Sequence, residues 1–339
     1  MNASAAGYER VRCVAHVHST HSDGSATLPE LRAAARDAGA RVVLLTDHDT
    51  LGARDAGEDG WGDDVLVVVG HEVSPRGGHL LVFGTDEVVR HRGRDEREIL
   101  DAVAAAGGFG YAAHPFSLGS AFSTRVAPAH AWGTFRHPAL AGIEVWSLTT
   151  DVSEGWRTVG EAVRDMRNPL RTALAGPPER HLREWDALTA AGDVLAGLGG
   201  QDAHARGVRV RGRVRSIMPH DRWMGLVQTE LALDAPFTGD DDADRASVLA
   251  ALREGRTSIV VPPLGDPLDA RIDMSDGRLS VAAPEGTLVR IVTPGGAVRE
   301  LPAPCEVAVA GPVRVELLRR GARWILSSPL GGAQSPSSA

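Results

Sequence analysis

Short runs of β-branched and aromatic residues alternate with helical stretches from residue 10 to residue 261, and this alternation restricts the possible fold more than any other feature. Strands separated by helices form parallel sheets, either as doubly wound layers or as β/α barrels. The predicted strands cover residues 11–16, 41–46, 65–73, 79–83, 109–113, 143–146 and 194–198. The clearest of the intervening helices begins at the capping-box pair Thr27 and Glu30 and is closed by Gly39. Further helices are predicted over residues 95–106, 153–165, 179–191 and 245–254.

The sequence changes character after Pro262 and Pro263. Short alternating stretches broken by glycine and proline predict strands at 279–283, 288–293, 306–310 and 313–318, a spacing typical of a small β-sandwich. We therefore predict an α/β domain over 10–262 and a small β-sandwich-like domain over 268–326. A disordered tail rich in serine, glycine and proline is predicted over 327–339.

Composition excludes several classes of protein. A chain of 339 residues with 43% hydrophobic residues can bury an ordinary core, and its net charge of -8 provides no extended basic surface for nucleic acid. The two cysteines, Cys13 and Cys305, are too far apart in sequence to suggest a disulfide framework or a metal pair. No apolar leader and no apolar run of about 18 residues occur, so we expect a cytoplasmic protein without a membrane segment. All 36 basic side chains are arginine, which excludes Schiff-base chemistry on lysine.

Histidine and carboxylate side chains follow the ends of the predicted strands. The first strand runs into His16-Val17-His18, where the alternation of an extended chain should place both imidazoles on one side. The other strand ends and the loops beside them carry Asp23, Asp47-His48-Asp49, His71-Glu72, His79, His114, and Asp202 with His204. Each motif alone is more often structural, as a turn or a packed histidine. Because six strand ends carry them together, and such ends form the usual functional face of α/β folds, we predict a site for Zn²⁺, Mn²⁺ or Fe²⁺.

The order of these motifs, HxH, SDG, TDHD, GxE, AHP and DAH, resembles the PHP (polymerase and histidinol phosphatase) metal-dependent hydrolases over residues 10 to 205. The resemblance implies a distorted seven-stranded β/α barrel that holds two or three divalent cations. It implies a first metal bound by His16, His18 and Asp202, with Glu72 as a bridge. It also implies a second metal on Asp23, His48 and His204, and a third on Glu72, His79 and His114.

Three further segments, 142–146, 176–186 and 324–329, resemble a branch of that family with predicted phosphoesterases and carbaryl-type ester and carbamate hydrolases. The leading hypothesis is a phosphatase or phosphodiesterase that acts on a small phosphorylated metabolite or nucleotide. A carboxylic-ester or carbamate hydrolase on the same metals is the alternative. A proofreading exonuclease is disfavoured by the net charge of -8 and the lack of a polymerase module. A non-catalytic metal-binding module is disfavoured because all nine implied ligands are present.

In either hydrolase, cations sharing Glu72 would acidify a bridging water, so that hydroxide is available near pH 7 as the nucleophile. Glu72 and Asp202 are therefore predicted to be catalytic as well as metal-binding. Glu144 is a candidate for proton transfer or for supporting a ligand, with a purely structural carboxylate as the alternative. Asp47 and Asp49 are predicted to orient ligands.

A local basic cluster follows the last predicted ligands in an otherwise acidic chain, at Arg206, Arg209, Arg211 and Arg213. A guanidinium group suits phosphate, so Arg206 and Arg209, together with Arg180, are predicted to bind substrate, and Arg206 also to assist catalysis. A solvated loop is the alternative. The remaining histidines are predicted to be surface or packing residues: His21, His71, His91, His130, His137, His181 and His220. The oligomeric state is left open.

Overall fold

The computed structural model describes residues 9–121, 128–205, 207–210 and 213–331. The strands are β1 (Glu9–Val17), β2 (Val42–Leu45), β3 (Gly60–Gly62), β4 (Val65–Val69), β5 (His71–Val73), β6 (His79–Phe83), β7 (Phe109–Ala113), β8 (Leu140–Ser147), β9 (Ala196–Ala203), β10 (Gly207–Val210), β11 (Arg213–Ser216), β12 (Gln228–Leu233), β13 (Thr257–Val260), β14 (Arg271–Ser275), β15 (Arg278–Ala282), β16 (Leu288–Val292), β17 (Val298–Pro302), β18 (Cys305–Ala308), β19 (Arg314–Arg319) and β20 (Ala322–Ser327). The helices are α1 (Leu28–Asp37), α2 (Gly52–Asp55), α3 (Glu96–Ala105), α4 (Leu148–Gly155), α5 (Val159–Arg167), α6 (Pro169–Ala175), α7 (Glu179–Ala190), α8 (His220–Trp223) and α9 (Asp241–Arg253).

The molecule is a mixed α/β protein built on one large sheet in which many central pairs are parallel. β1 pairs in parallel with β2 and β9, β2 pairs with β4, and β8 lies between β7 and β9. β6 is the exception, because it pairs antiparallel with both β5 and β7. Since β5 follows β4 after Gly70 alone, the pairs can be followed from β1 through β2, β4, β5, β6, β7, β8 and β9 back to β1.

Gly70 makes the change of partner between β4 and β5 possible. Its amide still donates to Leu45 of β2, while a Cβ at this position would overlap the carbonyl of Val82 in β6. Glycine therefore allows the close backbone approach that this crossing requires. The continuous segment formed by β4 and β5 consequently pairs first with β2 and then with β6, and Glu72 lies two residues after Gly70.

The central strands are apolar because helices and neighbouring strands cover them on both sides. Every residue of β2 and β4 is buried, as is typical of strands in parallel sheets. The helix α1 begins at a capping box formed by Thr27 and Glu30, and packs Leu28 and Leu31 into a core shared with these two strands. This covered core holds the strand ends in place around the polar centre described below.

The C-terminal strands continue the large sheet. β12 pairs antiparallel with the first half of β1 and with β13, and β13 pairs with β20. β20 is followed in the sheet by β19, β16 and β17, while β14, β15 and β18 form a separate three-stranded sheet. Hydrogen bonding is therefore continuous across the predicted boundary between residues 262 and 268. The regular structure also extends past residue 326 into the predicted tail, because Ser327 ends β20 and Leu330 pairs with Val313. The rest of the predicted tail, residues 332–339, lies outside the described residues.

The predicted helix over 153–165 is wrong in its extent, because the chain forms two helices there, α4 and α5. Trp156 adopts an extended conformation after α4, and Thr158 forms a capping box with Glu161 at the start of α5. The sequence interpretation also missed α6, β12 and β13. Within the described part of the chain, no helix combines the length and apolar character needed to cross a membrane.

Candidate metal centre

Histidine and carboxylate side chains from the strand ends converge into three overlapping groups, and within each group the candidate ligand atoms lie within 4.8 Å of one another. The first group is His16, His18 and Glu72; the second is His18, Asp23, His48 and His204; the third is Glu72, His79 and His114. Glu72 belongs to the first and third groups, and His18 to the first and second. The structure thus brings together the residues at separate strand ends that the sequence singled out.

His16 and His18 reach the first group through an irregular end of β1. The backbone of His16 has φ +58°, and the pairing register of β1 shifts between Ala15 and Val17. The two imidazoles therefore converge by a local turn of the backbone, and not by the regular alternation that the sequence suggested. Their Nε2 atoms lie 3.5 and 3.4 Å from the same oxygen of Glu72, Oε2.

Glu72 is fully buried at the centre of the cluster. Its Oε2 also lies 2.9 Å from His48 Nδ1, while Oε1 lies 2.8 Å from His79 Nδ1 and 3.5 Å from His114 Nε2. The two carboxylate oxygens thus face different groups of histidines. A single carboxylate in this position can serve two neighbouring cations.

Asp202 lies beside the first group although it is outside the tight grouping of atoms. Its Oδ1 is 3.6 Å from His16 Nε2 and 3.5 Å from His18 Nε2. Asp202 lies at the carboxyl end of β9, next to the end of β1, and its backbone has φ +48°. This position is compatible with a ligand for the cation that His16 and His18 would hold.

The second group lies nearer to solvent. Asp23 Oδ1 lies 3.0 Å from His204 Nε2 and 3.6 Å from His48 Nε2, and the side chain of Asp23 is 39% exposed. Asp47 holds the loop that carries Asp23, because its carboxylate accepts hydrogen bonds from the amide and hydroxyl of Ser19 and from the hydroxyl of Ser22. The centre is therefore open on the side of the second group and closed around the first.

Glu144 contacts the predicted ligand His16 on the side of the ring away from Glu72. Both of its carboxylate oxygens lie 3.0 Å from His16 Nδ1, and Oε2 accepts a hydrogen bond from the backbone N–H of His114. A proton on His16 Nδ1 leaves Nε2 as the lone-pair atom that faces Glu72. Glu144 is therefore placed where it could orient the ring of His16, and its role stays a prediction. Gly200 is needed beside it, since a Cβ there would overlap the carboxylate of Glu144.

Several buried atoms in the centre have no hydrogen-bond partner among the described residues. These atoms include His16 Nε2, His18 Nε2 and Glu72 Oε2, which face one another in the first group. The 2.9 Å approach of His48 Nδ1 to Glu72 Oε2 is close enough for an ion pair but does not have hydrogen-bond geometry. A buried polar atom without a partner costs free energy, and nitrogen and carboxylate oxygen are good ligands for divalent transition metals. The donor set and its unpartnered atoms therefore fit a bound cation.

The same contacts shift the pKa values of these groups. Burial alone would lower the pKa of His16, but Glu144, Glu72 and Asp202 raise it well above its ordinary value. Burial would raise the pKa of Glu72, but the neighbouring histidines His79 and His16 hold it well below its usual range. Burial, and then the charge of His204, lower the pKa of His18 to about 4. His18 is therefore neutral near pH 7, as a metal ligand must be.

The predicted arginines are not brought to the ligand cluster by any described contact. Arg180 lies beside His181, with its Nη2 3.1 Å from His181 Nε2, and His181 is held by the carbonyl of Val145. Arg206 lies outside the described residues, as does the side chain of Arg209. Their roles in substrate binding stay predictions.

His130 lies nearer to the centre than the sequence suggested. Its ring centroid is 4.0 Å from that of His79 and 5.9 Å from that of His114, and its Nδ1 lies 3.1 Å from the carbonyl of Gly77. The residue belongs to the long connection between β7 and β8, away from any predicted strand end. No spacing motif could therefore have identified this contact, which is compatible with the predicted packing role.

Comparisons with solved structures give matches of low similarity. The chain is similar in structure to PHP-like metal-dependent phosphoesterases. A two-domain protein from Bacteroides vulgatus with a predicted domain of that kind matches at 15% identity and a TM-score of 0.45, over 97% of this chain and 98% of its own. A protein from Bifidobacterium adolescentis, assigned as a metal-dependent phosphoesterase, matches at 18% identity and a TM-score of 0.36, over 59% of this chain and 88% of its own.

An amidohydrolase from Chromobacterium violaceum, with bound sulfate and no metal, matches at 18% identity and a TM-score of 0.32, over 62% of this chain and 93% of its own. No protein-family model and no curated protein sequence matches the chain. Because the three TM-scores lie below 0.5, the functional assignment rests on the centre itself.

Proposed function

We propose that this protein is a metal-dependent phosphoesterase of the PHP type, acting on a small phosphorylated metabolite or nucleotide. The observation that carries the proposal is the first group, in which the buried atoms His16 Nε2, His18 Nε2 and Glu72 Oε2 face one another with no hydrogen-bond partner among the residues that the structure describes. Such an arrangement is costly in a protein core unless a cation fills it. The overlap with two further groups through Glu72 and His18 supports a cluster of two or three cations.

The ligand assignment follows the contacts. The first cation would be held by His16, His18, Glu72 and Asp202; the second by Asp23, His48 and His204; the third by Glu72, His79 and His114. The ligands suit Zn²⁺ or Mn²⁺, with Fe²⁺ as a further option. We also propose that the strands carrying them form a distorted seven-stranded barrel, because the pairing circuit returns to β1 when β4 and β5 are counted as one strand.

When bound, the cations would supply a water acidified to near neutral pH and would stabilise the charge that develops on the substrate oxygen. The residues of the chain provide the framework. Glu72 sets the spacing between neighbouring positions, Glu144 fixes the ring of His16, and Asp47 holds the loop of Asp23. The partly exposed second group leaves a side on which a substrate can enter.

The charges of the centre favour an anionic substrate. Neutral imidazoles contribute no charge, so a full set of three dications would place six positive charges against the four carboxylates Asp23, Glu72, Glu144 and Asp202 and one hydroxide, which leaves one positive charge in excess. The remaining excess of positive charge would attract a phosphate ester more strongly than a neutral carboxylic ester or carbamate. This electrostatic preference supports the phosphoesterase over the alternative hydrolase.

The proposal is tested by purifying the protein, counting its metals, and assaying phosphomonoesters, phosphodiesters and aryl carbamates side by side. Chelation should abolish hydrolysis, and Mn²⁺ or Zn²⁺ should restore it with a preference for phosphate esters. Full turnover by protein shown to be metal-free would overturn the metal-dependent mechanism. A preference for the carbamate would retain the metal centre but reject the phosphoesterase assignment.

A further inference from the structure

Two consecutive threonines lie over the predicted ligand Asp202. β8 ends at Ser147 and α4 begins at the next residue, so no loop separates the strand from the helix. β8 and β9 are parallel neighbours, with Ser147 opposite Gly200. The first turn of α4 therefore crosses the end of β9, where it brings Thr149 and Thr150 to Asp202.

Both threonine hydroxyls bind Asp202, at different atoms. The hydroxyl of Thr150 donates a hydrogen bond to the carboxylate oxygen Oδ2. The hydroxyl of Thr149 donates to the backbone carbonyl of Asp202 at 2.7 Å. With Oδ2 occupied, the other oxygen, Oδ1, is the one that faces His16 Nε2 and His18 Nε2 at 3.6 and 3.5 Å.

Asp202 needs such support because its backbone is in the left-handed region, with φ +48°. A residue with a side chain adopts this conformation at a cost in free energy, and surrounding contacts must hold it there. The bond from Thr149 fixes the peptide carbonyl, and the bond from Thr150 fixes the carboxylate. The two bonds together restrict both ends of the residue.

The same carbonyl connects Asp202 to the second group. His204 Nδ1 lies 3.1 Å from the carbonyl oxygen of Asp202, so a protonated Nδ1 donates a hydrogen bond to that carbonyl. The other ring nitrogen, Nε2, is then left to face Asp23 at 3.0 Å. Thr149 and His204 therefore meet at one oxygen. A displacement of this peptide would disturb a ligand in the first group and a ligand in the second.

We propose that Thr149 and Thr150 are positioning residues of the metal centre, which set the direction of the Asp202 carboxylate and the ring of His204. This inference rests on the proposed function, because it concerns the ligands of the proposed cations. Neither hydroxyl needs to touch the substrate. Their effect is on how well the ligand atoms are placed before a cation arrives.

The test compares Thr150→Val with Thr150→Ser in metal-free protein titrated with Mn²⁺ by calorimetry. Valine keeps the shape of threonine and removes the hydroxyl, so the affinity for at least one cation should fall about 10- to 100-fold, as is usual when a partner behind a metal ligand is lost. Serine keeps the hydroxyl and should restore most of that affinity. Thr149→Val should weaken binding as well, since it releases the shared carbonyl.

Thr189→Val is the matched control for Thr149→Val, because the Thr189 hydroxyl likewise donates to a backbone carbonyl, that of Trp185 in α7, away from the predicted ligands. The control should leave Mn²⁺ affinity unchanged, whereas Thr149→Val and Thr150→Val should both lower it. Thr150→Val should also lower kcat with little change in KM.

Wild-type affinity in Thr150→Val overturns the positioning role, as does a loss of affinity that Thr150→Ser fails to restore. If Thr150→Val does not fold, the pair Thr150→Ala and Thr150→Ser gives the same comparison. Wild-type protein that binds no Mn²⁺ and no Zn²⁺ overturns the proposed function together with this inference. Binding by the wild type that is matched by both threonine variants overturns this inference alone.

Discussion

Replacing Glu72 by glutamine should damage the centre more than the loss of a terminal ligand. The amide keeps the size of the side chain and removes the negative charge that lies between the histidines of the first and third groups. The cations on either side would then face each other with less compensation. We expect at least one of them to leave.

The magnitude can be bounded from the charges. At an effective dielectric constant of about 20, a unit charge and a dication about 4 Å apart interact by about 8 kcal/mol. The amide oxygen can still act as a ligand and water screens part of the change, so the net loss is smaller. We expect at least about 2.8 kcal/mol, which is about a hundredfold in the affinity for a cation.

The assay measures metal stoichiometry by mass spectrometry and kcat under one metal supply, for Glu72→Gln, His79→Ala and Glu230→Gln. His79→Ala should chiefly empty the third position and leave residual activity. Glu230 is a buried glutamate paired with Arg10, away from the predicted ligands, so its variant controls for a buried amide and should keep all metals. If Glu72→Gln kept its metals and most of its rate while His79→Ala was dead, the bridging role of Glu72 would be refuted.

Burial lowers the pKa of His16, but the neighbouring carboxylates raise it well above its ordinary value of 6.5, and a cation must displace the proton that is held there. Metal binding should therefore strengthen as the pH rises above 6.5; calorimetry should detect proton release, and a pH-independent affinity would contradict this. The stability of the metal-free protein should change in the opposite direction. The contribution of His16 to the free energy of unfolding is full below the ordinary pKa of 6.5 and is lost as the pH rises through the raised pKa of the folded protein. Melting curves at a series of pH values would check this. Gly200→Ala should displace Glu144 and weaken metal binding about 10- to 100-fold in the same titration, whereas unchanged binding would show that Glu144 does not orient His16. Removal of residues 268–339 should leave the predicted ligands in the chain but take away β20, the strand partner of β13. Light scattering should therefore detect aggregation of the fragment. A monodisperse fragment that binds no metal would show that the domain boundary is wrong.

The residues of the candidate centre could be predicted because they share one local property, their position at or beside the end of a strand. Residues such as His48, Glu72 and His114 need no knowledge of long-range pairing to be recognised, since short motifs mark each of them. Parallel strands then bring such ends to the same edge of the sheet. Most predicted strands also lie within a few residues of those observed.

The supporting residues could not be predicted in this way. Thr149 and Thr150 reach Asp202 only because α4 follows β8 without a loop. The sequence predicts a helix only from residue 153 onward, so it does not place these two threonines on a helix. Likewise, β12 joins the sheet through pairs such as Cys13 with Thr229, which have no local signature. Contacts between residues so far apart in sequence depend on the whole fold.

The two partners of β1 on one edge have a consequence for the synthesis of the chain. Residues Glu9 to Cys13 pair with β12, and Ala15 and Val17 pair with β9, so this edge stays open until residues near 233 have been made. Contacts of such high sequence separation slow folding and leave strand edges exposed meanwhile. We therefore expect β1 to present an unpaired edge during synthesis, which a chaperone would have to protect until β9 and β12 follow.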